Sequence, residues 1–248
     1  MDRLKQYFKN YYVLNDISGI LFWDNATNLP IKSINSRTEQ MSILSDFTDK
    51  IFRDPELLKE LHNAKNLKLS DLDKKNLNLM NDIILRENSV DTALKAKLIN
   101  QKIKCEHLWR DARQKNDASI VEDEFNNLLN LVHEESLQLS NATKLSPYDS
   151  LISKYDIDYN TIKIDNTFNI IKSEIIPHYL AADKIENPYV YNLSISESEI
   201  LDHTKKKLEE LNFDFDQGRI DYSHHPFCGG ANNDVRITTR FENNILET

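Results

Sequence analysis

Along most of its length the chain places apolar side chains three or four residues apart, the period of a helix with one buried face. The segment 90–115 is the clearest case, with Leu94, Leu98, Cys105, Leu108, Trp109 and Ala112 along one stripe. Helix-starting residues recur before such segments. Asp54 precedes Pro55 and Ser146 precedes Pro147, pairing an N-cap oxygen with a proline at the first helical position. Ser119 with Glu122, and Ser196 with Glu199, have the capping-box spacing, in which each side chain satisfies an orphaned backbone donor. The pattern predicts helices near 3–20, 37–52, 55–64, 71–87, 90–115, 120–140, 160–185 and 197–211. After Leu211 the period changes. Phe213-Asp214-Phe215-Asp216 alternates apolar and polar, Gln217-Gly218 supplies a turn, and Arg219 to Tyr222 alternates again, which predicts a hairpin. Asp234 to Thr238 alternates in the strand period once more. The expected fold is mainly α: a large helical body over 1–211 and a small hairpin and edge-strand unit over 212–241.

Composition narrows this picture. Only 4 glycines and 6 prolines interrupt 248 residues, too few for sandwiches, propellers or glycine-rich nucleotide folds. Three of those glycines, Gly218, Gly229 and Gly230, lie in the last stretch. A net charge of −9 argues against nucleic acid as the main partner, since phosphate binding needs a basic patch. No apolar run approaches the ~20 residues of a spanning helix, and Met1 to Asn10 lacks an apolar signal core. Two cysteines, Cys105 and Cys228, cannot build a disulfide framework, so a reduced, cytoplasmic setting is expected. Cys105, on its apolar stripe, reads as a small buried hydrophobe.

Candidate chemistry gathers near the C-terminus. Side chains two apart on a strand share a face, so Asp234, Arg236 and Thr238 line up while Val235 and Ile237 point to apolar packing. An arginine between a carboxylate and a hydroxyl suits a planar anion such as a peptide carboxylate. An ordinary half-buried edge strand with a solvated polar face explains the same pattern. His224-His225-Pro226-Phe227-Cys228 contains zinc-ligand residue types. Adjacent residues of an extended chain point to opposite faces, and no second ligand cluster accompanies them, so a structural loop is favoured. His107 and Asp111, one turn apart, form a pair best read as solvated. The 248 residues carry no His-Glu-x-x-His: after His133-Glu134, Leu137 stands where the second histidine would be. Walker, Rossmann and Gly-x-Ser-x-Gly motifs are also missing from the sequence.

Trp23-Asp24 followed by Thr27, Pro30, Arg37 and Gln40 resembles the N-terminal signature of the M32, or Taq-type, metallocarboxypeptidases. Trp109-Arg110-Asp111-Ala112-Arg113 and Tyr148-Asp149-Ser150-Leu151 resemble its middle helices and the turn after them. The strongest likeness is Phe213 to Asp221, then His225-Pro226-Phe227, Gly229-Gly230 and Asp234-Val235-Arg236-Ile237-Thr238, which match the HPF and DxRxT motifs in order. Two departures stand out: Leu29-Pro30-Ile31-Lys32 replaces a Met-Pro and glycine-rich segment, and Cys228 replaces a small hydroxyl residue.

The resemblance implies a gluzincin-like, mostly helical, intracellular peptidase. It would depend on zinc or cobalt, form a homodimer, and remove single residues from peptide C-termini, with neither nucleic acid nor membrane as partner. It implies His225, Asp234, Arg236 and Thr238 as cleft-lining substrate contacts, Arg236 as the anion contact, and Pro226 and Phe227 as scaffold. It also implies that the chain corresponds to the N-terminal half of one metallocarboxypeptidase domain, with both histidine ligands, the catalytic glutamate and the third ligand beyond Thr248. Residues 1–248 would then hold no catalytic residue and no tight metal. A non-catalytic helical peptide-binding or dimerisation module is the competing expectation.

Overall fold

The computed structural model describes residues 1–182, 196–223, 225–242 and 245–247. Six helices fill the first half: α1 (Asp2–Thr27), α2 (Ile34–Phe52), α3 (Pro55–Lys65), α4 (Asp71–Ser89), α5 (Thr92–Lys115) and α6 (Ser119–Thr143). Then come α7 (Pro147–Ile152), α8 (Thr161–Glu174), α9 (Ile176–Ala182) and α10 (Glu197–Glu210). Strands β1 (Gly218–Tyr222), β2 (Cys228–Ala231), β3 (Asp234–Glu242) and β4 (Ile245–Glu247) follow. The fold is therefore mainly α with a small sheet near the C-terminus, as the sequence predicts.

Caps decide several boundaries. Asp54 accepts from the Glu56 N–H ahead of Pro55, and Ser146 from the Asp149 N–H ahead of Pro147. Ser196 and Glu199 form the full reciprocal box. Ser119 behaves differently: its N–H and hydroxyl both donate to Asp117 Oδ1, at 3.0 and 2.7 Å. Asp117 thus takes the Ser119 N–H that Glu122 would have accepted in the predicted box, and also engages the hydroxyl as a donor.

Contacts divide the chain into two units, one of residues 1–131 with 194–248 and one of 132–193. In the first, Leu4, Phe8, Phe52, Leu57, Leu61, Ala64, Leu77 and Ile84 pack into one core drawn from α1 to α4. Of the predicted α5 stripe, Leu94, Leu98, Cys105 and Ala112 are buried and Leu108 and Trp109 partly so, while Ile103, outside it, is buried as well. In the second, Leu139, Ser136, Ser150 and Ser153 are buried, and Lys154 pairs with Glu135 at 2.6 Å.

The sheet differs from its sequence expectation in three ways. Residues 213–217 are irregular, with a turn at Phe215-Asp216, and β1 pairs in parallel with β3, Gly218 opposite Val235 and Tyr222 opposite Thr239. No hairpin forms across Gln217-Gly218. The hairpin is β2–β3, closed by Asn232-Asn233, with Asn233 at φ 61°, a left-handed conformation that asparagine tolerates. Finally, β3 is the central strand, in the order β1-β3-β2. Val235 is 45% exposed, while Thr238 and Thr239, on opposite faces, are each 1% exposed, so both faces of β3 are covered at that point and the Val235 end is open on one side.

Candidate substrate-binding site

Trp23 organises the site from the last turn of α1. Its ring is 1% exposed and its indole N–H donates to Asp221 Oδ2 of β1 at 2.9 Å. Asp221 also pairs with Arg219. Asp24 takes a 2.6 Å hydrogen bond from Arg37, whose guanidinium also donates to the Leu21 carbonyl and to Gln40. Arg37 thereby closes the carbonyl end of α1, where the helix dipole favours a cation. Thr27 Oγ1 donates back to the Trp23 carbonyl at 2.8 Å. The residues that carry the N-terminal resemblance thus form one hydrogen-bonded helix end.

The middle helix meets the same end. Asn25, 2% exposed, donates to Glu106, lies 3.3 Å from His107 Nε2, and offers its carbonyl to Arg110 at 2.6 Å. Burial pushes the His107 imidazolium toward deprotonation and nearby Arg110 adds to this, against the opposing pull of Glu106. Trp109 presents its ring to His225, edge to face at 6.3 Å, with the Arg113 guanidinium 5.6 Å from its centroid.

Arg236 lies half-buried on β3. Its Nε and Nη2 donate to the two oxygens of Asp234 at 2.9 and 2.7 Å. This fork holds the Asp234 carboxyl below its usual range, chiefly through the hydrogen bonds from Arg236. The same bonds raise the arginine, and the fields of Asp221 and Asp24 add to them. Three aspartates thus pair with three arginines, Asp24 with Arg37, Asp221 with Arg219 and Asp234 with Arg236.

The four sequence-derived site residues differ in setting. His225 is exposed beside Trp109, and Asp234 and Arg236 are joined to each other. Thr238 is buried, with its hydroxyl between the N–H and the carbonyl of Phe227. His224 lies outside the described residues. Asn25, Glu106 and Asp221 join the network without having been singled out in the sequence. The proximity of Asn25 to Trp23-Asp24, and of Glu106 to Trp109-Arg110, hinted at the first two, and Asp221 ends the Phe213–Asp221 block of the resemblance. A cavity of about 330 Å³ at the end of α1 is bordered by Thr239 and Arg240 rather than Arg236.

A long helical body with a small mixed sheet set against its first helix is the metallocarboxypeptidase fold. The BsuCP crystal structure matches with a TM-score of 0.86 over 98% of this chain and 50% of that one, at 23% identity. Trypanosoma cruzi metallocarboxypeptidase 1 matches with a TM-score of 0.78 over 97% and 49%, at 24% identity. Carboxypeptidase 1 of Bacillus subtilis (strain 168) is 24% identical over 238 residues, 93% of this chain and 47% of its own. The sequence matches the family described as Carboxypeptidase Taq (M32) metallopeptidase over residues 3–248. The chain belongs to that family. It spans about half the length of the curated relative it matches.

A metallopeptidase family implies a divalent metal. Among the described residues no three His, Cys, Asp or Glu side chains come together to hold one. No described helix is long and apolar enough to cross a membrane.

Proposed function

We propose that residues 1–248 form the substrate-binding wall of a cytoplasmic metallocarboxypeptidase that removes single residues from peptide C-termini. The family match over residues 3–248 carries this reading, because it includes the Asp234–Arg236 fork as well as the Trp23 helix end. In it, Arg236 receives the substrate carboxylate through Nη1 while Asp234 holds Nε and Nη2 in plane. His225 borders the bound residue, and Thr238 belongs to the same wall. Because three aspartates already balance the three arginines, binding depends on fork geometry more than on net attraction. The metal, zinc or cobalt, would supply Lewis-acid polarisation and an activated water from groups that these residues do not provide. The complete protein would be a homodimer.

Calorimetry with an N-acetylated tripeptide tests the wall directly. The free-carboxylate form should bind and the C-terminal amide should not. Arg236→Ala should weaken binding by about 10-fold or more, the value of a charged hydrogen bond. Equal binding of acid and amide would overturn the anion role. The second reading, a non-catalytic helical peptide-binding or dimerisation module, rests on the lack of His-Glu-x-x-His in the 248 residues. It predicts that a protein joined to a family metal-binding half binds peptide without metal-dependent release of C-terminal residues.

A further inference from the structure

The backbone on either side of His225 is tied down at several points. Ser223 Oγ donates to the His225 carbonyl at 2.7 Å, and the Ser223 N–H donates to the Thr239 carbonyl at 3.1 Å. Pro226 restricts His225 to extended conformations and fixes its own φ. Phe227 is held twice over. Its ring packs against Trp23 at 4.9 Å and Phe22 at 6.2 Å. Its N–H donates to Thr238 Oγ1 at 2.7 Å, its carbonyl accepts from that hydroxyl at 3.0 Å, and it accepts again from the Thr238 N–H at 2.8 Å.

We propose that Thr238 is a positioning residue: its hydroxyl clasps Phe227 and so sets where the His225 ring stands beside Trp109, without itself touching substrate. This rests on the peptide-carboxylate reading of the site. A hydroxyl offers one donor and two acceptor positions, and here the donor and one acceptor are spent on Phe227. At 1% exposure Thr238 offers no surface to a ligand. From the clasp, one rigid proline leads to His225, which is exposed and therefore has little packing of its own to fix it. Valine matches threonine in shape but would leave the Phe227 N–H buried without its acceptor, whereas serine keeps both bonds.

The test uses the 248-residue chain. Its two tryptophans give two indole N–H signals in a nitrogen-proton correlation spectrum, assigned with Trp109→Phe. His225→Ala reports where the Trp109 signal moves when the imidazole is removed. Thr238→Val should move the Trp109 signal in that direction and weaken binding of the free-carboxylate tripeptide about tenfold, while Thr238→Ser stays within about twofold. A folded Thr238→Val with the Trp109 signal in place would overturn the proposal. So would Thr238→Ser behaving like Thr238→Val. If Thr238→Val does not fold, amide exchange of Phe227 in the unaltered chain decides: slow exchange supports the clasp, and the rate of an exposed amide removes it. Were the unaltered chain to bind no peptide carboxylate, the peptide reading would fall while the Trp109 signal still judged the clasp.

Discussion

Glu124, on the side of α6 that meets α5, has its acidity displaced far from the ordinary value. Gln101 Nε2 donates to one carboxylate oxygen at 2.7 Å, Lys104 Nζ to the other at 2.5 Å, and Asn127 adds a longer contact. These bonds lower its pKa from 4.5 to about 2, the Gln101 contact contributing most. A folded-state pKa below the unfolded value stabilises the fold when the group is ionised. That contribution is complete above about pH 4.5 and drains away as pH falls toward about 2. Glu124→Gln should therefore lower the urea midpoint at pH 7 and converge with the unaltered chain near pH 2. A gap between the two chains that is independent of pH would show that packing, not charge, ties α6 to α5. Asp49 is a buried counterpart: burial raises its pKa, yet hydrogen bonds from Lys95 and Thr92 win and hold it low.

Among the elements, the contact of α1 with β2 turns on glycine. A Cβ on Gly19 would stand 2.7 Å from the Gly230 carbonyl oxygen. Gly230 itself has φ +97°, and a Cβ there would lie 2.1 Å from the Asp234 carbonyl oxygen. Helix propensity alone would make Gly19→Ala stabilising by about 1 kcal/mol. Forcing apart two packed backbones costs about 1–3 kcal/mol, so the variant should be less stable, with the Trp23 indole signal displaced. An equal or higher urea midpoint would mean that the strand yields at no cost.

Three of the four glycines announced the sheet unit in the sequence, but the fourth, Gly19, gave no sign of facing them. The helices were legible because their period and caps are local. Even so, α7 needed only the Ser146-Pro147 cap and was not read as a helix, and the segment 160–185 is broken into α8 and α9 as far as it is described. Strand pairing was not legible. Alternation shows which side chains share a face, but not which face turns inward or that β1 pairs with a strand seventeen positions later, as Gly218 opposite Val235 does. For the same reason the sequence grouped Asp234, Arg236 and Thr238 without revealing that the first two pair with each other and the third with Phe227.

At the scale of the whole molecule, metal binding is the sharpest question, because the family implies a divalent metal and no three donor side chains come together among the described residues. A catalytic zinc takes three protein ligands plus water, and a structural one takes four. His225, an exposed candidate donor, has an aromatic ring as its neighbour, while His107 contacts Asn25 and is discouraged from protonation by burial. Glu106 near His107 is committed to Arg110 and Asn25. Two donors at most can turn toward one ion at any of these places, and a pair competes poorly with a chelator. After dialysis against a chelator and then buffer, elemental analysis of the 248-residue chain should find well under one zinc or cobalt per molecule. Adding zinc should also leave the urea midpoint unmoved, since a ligand stabilises only a fold that holds it. One retained zinc per chain, lost on His225→Ala, would instead make the His225-Pro226-Phe227 loop a metal site, and Thr238 would then be positioning a ligand.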